Sequence, residues 1–171
     1  TGGGSMDWAL WYDTGIDEFM IYDSSTKVTS NTVIDKNQWY FLTWCHESGT
    51  SELFVNGVKQ ASSALSPSSS DSDDVIGTGA GGQKAMTGSI ASVRIYDRAP
   101  SDAEIQTLYE WGSETGLTDK RLHNGNDARA VARYALNSDA TDSWGSSDGT
   151  NNGVTFVSDS IRGQSGQFEN S

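Results

Sequence analysis

The chain has 171 residues, enough for one domain with a real core, yet only 35% of them are hydrophobic, and it carries a formal net charge of −12 with a sequence pI of about 4.3. A surface this acidic repels phosphate backbones and anionic lipid, which argues against nucleic acid and membrane insertion as partners. One cysteine, Cys45, excludes an internal disulfide, and no apolar run approaches the ~18 residues of a membrane span.

Abundant Gly, Ser, Thr, Asp and Asn between short apolar runs describe many strands joined by tight turns. Five Lys against twenty-three acids is also the balance of a protein adapted to high salt, where molar ions screen repulsion within roughly 3 Å. The start at Thr1-Gly-Gly-Gly reads as a processed or excised piece of something longer.

In chain order, Trp8-Ala-Leu-Trp-Tyr12 and Phe19-Met-Ile-Tyr22 form a hairpin pattern across a Gly/Asp turn. Val28 to Ile34 alternates weakly, as an outer strand does. Trp39-Tyr-Phe-Leu-Thr-Trp-Cys-His46 is apolar on both faces, which predicts a central strand buried on both sides. Glu52–Val55 and Val58–Gln60 flank Asn56-Gly57, the residue pair of a type I′ hairpin turn. Ser62–Asp74 is a Ser/Asp-rich loop, Val75-Ile-Gly77 a short strand and Gly79–Gly82 a flexible connection.

Gly88–Tyr96 alternates with period two, with a register break at Ala91–Ser92 where a bulge fits. Ser101-Asp-Ala-Glu104 is a capping box, followed by Ile105, Leu108 and Tyr109 on one helical face and Gly112 as the stop. That helix is expected to close one end of a sandwich. Residues up to Asp127 are polar and aperiodic, as a linker is. Val131–Leu136, Val154–Val157 and Gly166–Phe168 are further strands around a turn-rich stretch, Asp139–Gly153.

Several motifs in this order resemble the laminin-G-like jelly roll of the concanavalin A-like lectin/glucanase superfamily. They are Trp39–Trp44, Leu53-Phe-Val-Asn-Gly-Val58, Ile76-Gly77, and Gly88–Asp97 running into Arg98–Tyr109. The resemblance implies an all-β fold, an antiparallel jelly-roll β-sandwich with one short helix. The back of the chain resembles the opening of the same module: Ala132–Leu136, Ala140-Thr-Asp-Ser143, Asp148–Gly153, Phe156 and Gly163–Phe168. Residues 1–112 therefore read as the C-terminal two-thirds of a module, 113–129 as a linker, and 130–171 as the N-terminal segment of the same or a following module. The family's opening edge strand and first long inner strand have no counterpart. Three arrangements are compatible with that order: a permuted module, a fragment spanning two tandem repeats, or a chain completed by strand exchange with a neighbour.

The chemistry weighs against catalysis. Glycosidases of this group need two carboxylates ~5–5.5 Å apart, and the nearest text, Asp17-Glu-Phe-Met-Ile-Tyr-Asp23, has the wrong spacing. Cys45 and His46 are adjacent on a strand and point to opposite faces, so they assemble no metal set or triad. The resemblance implies Ca²⁺ as a cofactor, with Asp142, Asp148, Asn151 and Asp97 as ligands by position, since calcium takes six to eight oxygens. Trp144, Trp8 and Asn152 are the candidate sugar contacts.

The expected function is a non-catalytic carbohydrate-binding or adhesion module of a secreted, cell-surface or virion-fibre protein from a high-salt habitat. Its partner is a glycan or surface polysaccharide. The competing reading is a structural repeat that self-associates or joins a neighbouring repeat by strand exchange. A glycoside hydrolase or lyase is a remote third.

Overall fold

The computed structural model describes residues 8–23, 27–65, 75–77, 86–113, 130–136, 138–159 and 163–168. The chain forms two compact units, residues 1–74 with 99–113 and residues 75–98 with 114–171.

In the first unit, β1 (Trp8–Asp13), β2 (Glu18–Asp23) and β3 (Lys27–Thr29) make an antiparallel sheet in that order. The expected first hairpin is present, with Tyr12 opposite Phe19 and Leu10 opposite Ile21. A second sheet runs β4 (Leu42–Glu47), β5 (Thr50–Val55), β6 (Val58–Ser63). The turn between β5 and β6 holds Asn56 at φ 52° and Gly57 at φ 79°, the two left-handed positions that Asn-Gly supplies. Ile21 and Val28 of the first sheet pack with Leu53 of the second and Leu65 just beyond it, all at most 3% exposed, and Leu10, Phe19, Trp44 and Ala61 surround them.

Helix α1 (Asp102–Ser113) starts on the expected capping box: the Ser101 N–H donates to Glu104 Oε2 at 2.8 Å and the Glu104 N–H to Ser101 Oγ at 3.4 Å. Ile105 packs against Cys45 and Phe54, on the face of β4 and β5 opposite Trp44 and Leu53. The helix thus covers an outer sheet face rather than an end of a sandwich, and it continues through Gly112.

That placement corrects the reading of the central strand. β5 is the middle strand, and its neighbours Leu53 (0% exposed) and Phe54 (1%) are buried on opposite faces. β4 pairs, among the described residues, with β5 alone, and Trp39–Phe41 lie outside the strand. Phe41 is held by the turn instead. Its N–H donates to Asn56 Oδ1 at 2.9 Å, and its carbonyl accepts the Asn56 N–H at 2.8 Å.

The second unit holds β7 (Gly88–Ile90), β8 (Val93–Tyr96), β9 (Ala130–Tyr134), β10 (Thr155–Asp159) and β11 (Gly163–Phe168). One sheet has the order β10-β11-β7; β8 pairs with β9. The break expected at Ala91–Ser92 is real, but it is no bulge: the chain there leaves one sheet and joins another. Ile76 and Gly77 form a bend rather than a strand, with the Phe168 ring packed on Gly77. The outer strand expected to reach Ile34 ends at Thr29. The loop expected from Ser62 begins later, because β6 runs to Ser63; its residues 66–74, the Gly79–Gly82 connection and residues 114–127 lie outside the described residues.

Candidate functional site: a loop organised by Asp142

Strand β9 delivers the chain into residues 138–154, and a single buried carboxylate organises that loop. Asp142 is 8% exposed. Its Oδ1 accepts the backbone N–H groups of Arg133 and Trp144, each at 3.0 Å, and its Oδ2 accepts that of Ser147 at 3.3 Å. These donors, first Arg133 and next the backbone N–H of Gly145, hold the carboxyl down at about 2, against the opposing effect of burial. The peptide N–H of Asp142 in turn donates to Asp148 Oδ1 at 3.0 Å.

The rest of the loop is pinned by short-range contacts. The Ser143 N–H donates to the Arg133 carbonyl at 2.9 Å, and the Tyr134 hydroxyl to the Ser147 carbonyl at 2.7 Å. The Gly149 N–H donates to the Ala140 carbonyl at 2.9 Å. Asp139 Oδ1 accepts the N–H and hydroxyl of Thr141, the hydroxyl first in effect, which lowers its pKa. Asn151 closes the far end by accepting the Val154 N–H at 2.7 Å and donating to the Val154 carbonyl at 3.1 Å.

The candidate residues divide accordingly. Asp142, Asp148, Trp144, Asn151 and Asn152 share this loop. Trp144 is half-buried with its indole Nε1 inside, while Asp148, Thr150, Asn151 and Asn152 are exposed. Asp97 lies elsewhere in the same unit, exposed at the bend after β8. Trp8 stands at the open end of the first hairpin, opposite Asp23, in the other unit.

The carboxylate of Asp142 does not fit a calcium ligand. Its oxygens already receive backbone N–H groups, and a carboxylate offers about four lone-pair positions in all. Among the described residues no group of three His, Cys, Asp or Glu is placed to hold a metal ion. The Asp142 role was hidden in the sequence because an Asp that accepts backbone N–H groups and an Asp that ligates a cation look alike in a turn-rich stretch.

Elsewhere, Cys45 is buried with its thiol pushed up to about 11, chiefly by burial, and His46 faces the other way, its Nδ1 3.2 Å from Ser51 Oγ. Asp17 sits in the β1–β2 turn, hydrogen-bonded to the Tyr12 hydroxyl and 3.6 Å from Lys36 Nζ, and is not one of an acid pair on a strand.

Residues 1–106, more than half of the chain, match the Laminin_G_3 family model of the concanavalin A-like lectin/glucanases superfamily. The chain belongs to that family. Its sheets, and the one helix among the described residues, are those of the family's all-β, antiparallel jelly-roll sandwich class. The loop organised by Asp142 lies beyond the matched stretch of this laminin-G-like chain.

Among solved structures the chain is similar to an S-layer domain-containing protein (residues 221–444) from Clostridium thermocellum, at 18% identity and a TM-score of 0.40. The likeness covers 64% of this chain and 66% of that one, just under two thirds of its length. No curated protein sequence matches the chain. No helix among the described residues is long and apolar enough to cross a membrane.

Proposed function

We propose that this laminin-G-like chain is a non-catalytic carbohydrate-binding or adhesion module acting outside the cell, at a cell or virion surface, and that its glycan contacts lie on the loop from Asp139 to Gly153. The observation that carries this reading is the division of labour within the loop. Asp142 is buried and fixes the backbone, while Trp144 is held at the boundary between interior and solvent, beside a run of exposed hydroxyl, carboxylate and amide groups.

That arrangement suits a sugar. An aromatic ring contributes a flat apolar contact, exposed Asp and Asn groups hydrogen-bond to hydroxyls, and a backbone fixed beforehand limits the ordering cost of binding. Family membership supports it, since the superfamily holds lectins. The buried, N–H-saturated Asp142 also favours a loop that keeps its shape without a metal ion.

The test is a glycan array probed with the wild-type chain and with Trp144→Ala. Binding by the first and its loss in the second, with unchanged circular dichroism, supports the reading. A wild-type chain that binds no glycan on the array contradicts it.

A further inference from the structure

The front and back of this chain are joined by strand pairing, and that pairing identifies a second partner. β11 lies between β10 and β7, with Gly166 opposite Ile90, Gln167 opposite Ser89 and Phe168 opposite Gly88. β9 pairs with β8 over Val93–Tyr96. Every ladder between residues 75–98 and the chain's last third runs through these two contacts, among the described residues. By contrast, β10 and β11 pair with each other over five positions, so the back segment keeps its own hairpin wherever it docks.

The docking contact has a specific shape. Phe168 is 8% exposed, and a Cβ placed on Gly77 would overlap its ring, so the bare glycine backbone is the seat of that ring. Sixteen residues, 114–129, link Ser113 to Ala130, and their sequence is polar. Without the back segment, β7 and β8 present edges that template an antiparallel strand, and the segment that matches them in register is carried by every copy of the chain.

We propose that residues 130–168 are an exchangeable element: the β9 and β10–β11 strands of one copy dock on β7 and β8 of a second copy, with Phe168 seated on the second copy's Gly77. The exchanged dimer remakes the same ladders, so it gains nothing in contact energy and forms where a second copy competes with the tethered segment, at concentrations on the order of 1 mM. A net charge of −12 on each copy opposes the encounter, so added salt raises the dimer fraction.

The register supplies the experiment. The double variant Ser89→Cys/Gln167→Cys, folded dilute and oxidised, closes a disulfide within one chain. Next, chains carrying Ser89→Cys alone and, with a different mass tag, Gln167→Cys alone are unfolded together under reducing conditions. They are refolded at high concentration and then oxidised. Native Cys45 is buried and stays out of the reaction.

A cross-link between the two tagged chains that grows with concentration and salt is expected. A pairing of Ser89→Cys with Asn152→Cys, which is out of register, gives none. The unmodified chain refolded the same way shows monomer and dimer by light scattering. Failure of the double variant to close, a tagged cross-link no stronger than the out-of-register control, or monomer alone at every concentration overturns the proposal.

Discussion

The carboxylate of Asp142 accepts the backbone N–H of Arg133 at 3.0 Å, and so ties the 138–154 loop to strand β9 across nine positions of chain. With Trp144 and Ser147 on the same carboxylate, a single residue sets both where the loop leaves the sheet and where the indole stands. The acid limb of stability depends on it. The folded chain holds this carboxyl at about 2, below the ordinary 3.8, so the ionised form is favoured on folding. Its contribution is complete above about pH 4 and is lost as pH falls through about 2. Asp142→Asn keeps an oxygen for Arg133 and Trp144 but turns an N–H₂ toward Ser147. It is expected to lower the melting temperature at pH 7 and to flatten its dependence between pH 4 and 2, and calcium or a chelator is expected to leave the wild-type melting temperature unchanged.

Gly145 is fixed by the same carboxylate. A Cβ there would stand 2.5 Å from Asp142 Oδ2 and 2.9 Å from the Val131 carbonyl oxygen. Gly145→Ala is expected to cost at least about 1 kcal/mol in urea unfolding and to weaken any ligand held by the loop. A stability equal to wild type would show that the loop is not tied down as described.

The hairpin of β5 and β6 gives a contrast in the first unit. Phe54, 1% exposed between β4 and α1, is expected to cost about 3–5 kcal/mol as Phe54→Ala. Val58, 58% exposed, is expected to stay within about 0.5 kcal/mol as Val58→Thr. Chemical denaturation of the two variants side by side measures the difference.

Gly57 tests the hairpin. Its φ of 79° is left-handed, and a Cβ there would meet the Gln106 side chain at 2.5 Å and Tyr109 at 3.2 Å. Gly57→Ala is expected to lose about 1–2 kcal/mol by strain, and more from displacing α1.

Much of this fold was legible where its causes are local. Asn56-Gly57 dictates its turn, and Ser101 and Glu104 cap their helix wherever it packs, so both were readable from a few neighbouring residues. The partner of each sheet face was not. Trp39–His46 looks central because it is the most apolar run. β5 holds that place because α1 returns from about fifty residues away to cover Phe54, a fact that Ser51 and Glu52 obscure in the pattern. Ala91–Ser92 likewise marks a break, but only the distant partners β9 and β11 make it a passage between sheets. In the loop, the residue types were legible and their roles were not: Asp142 reads as a ligand, and the geometry commits it to backbone N–H groups.

The most direct measurement is the affinity of the chain for the strongest glycan on an array, compared between wild type and Trp144→Ala by isothermal titration at equal foldedness. A contact that stacks on the ring predicts a loss of about fivefold or more, since such aromatic contacts contribute about 1 kcal/mol or more. Equal affinity in the two chains would place the sugar elsewhere and contradict the role given to this loop.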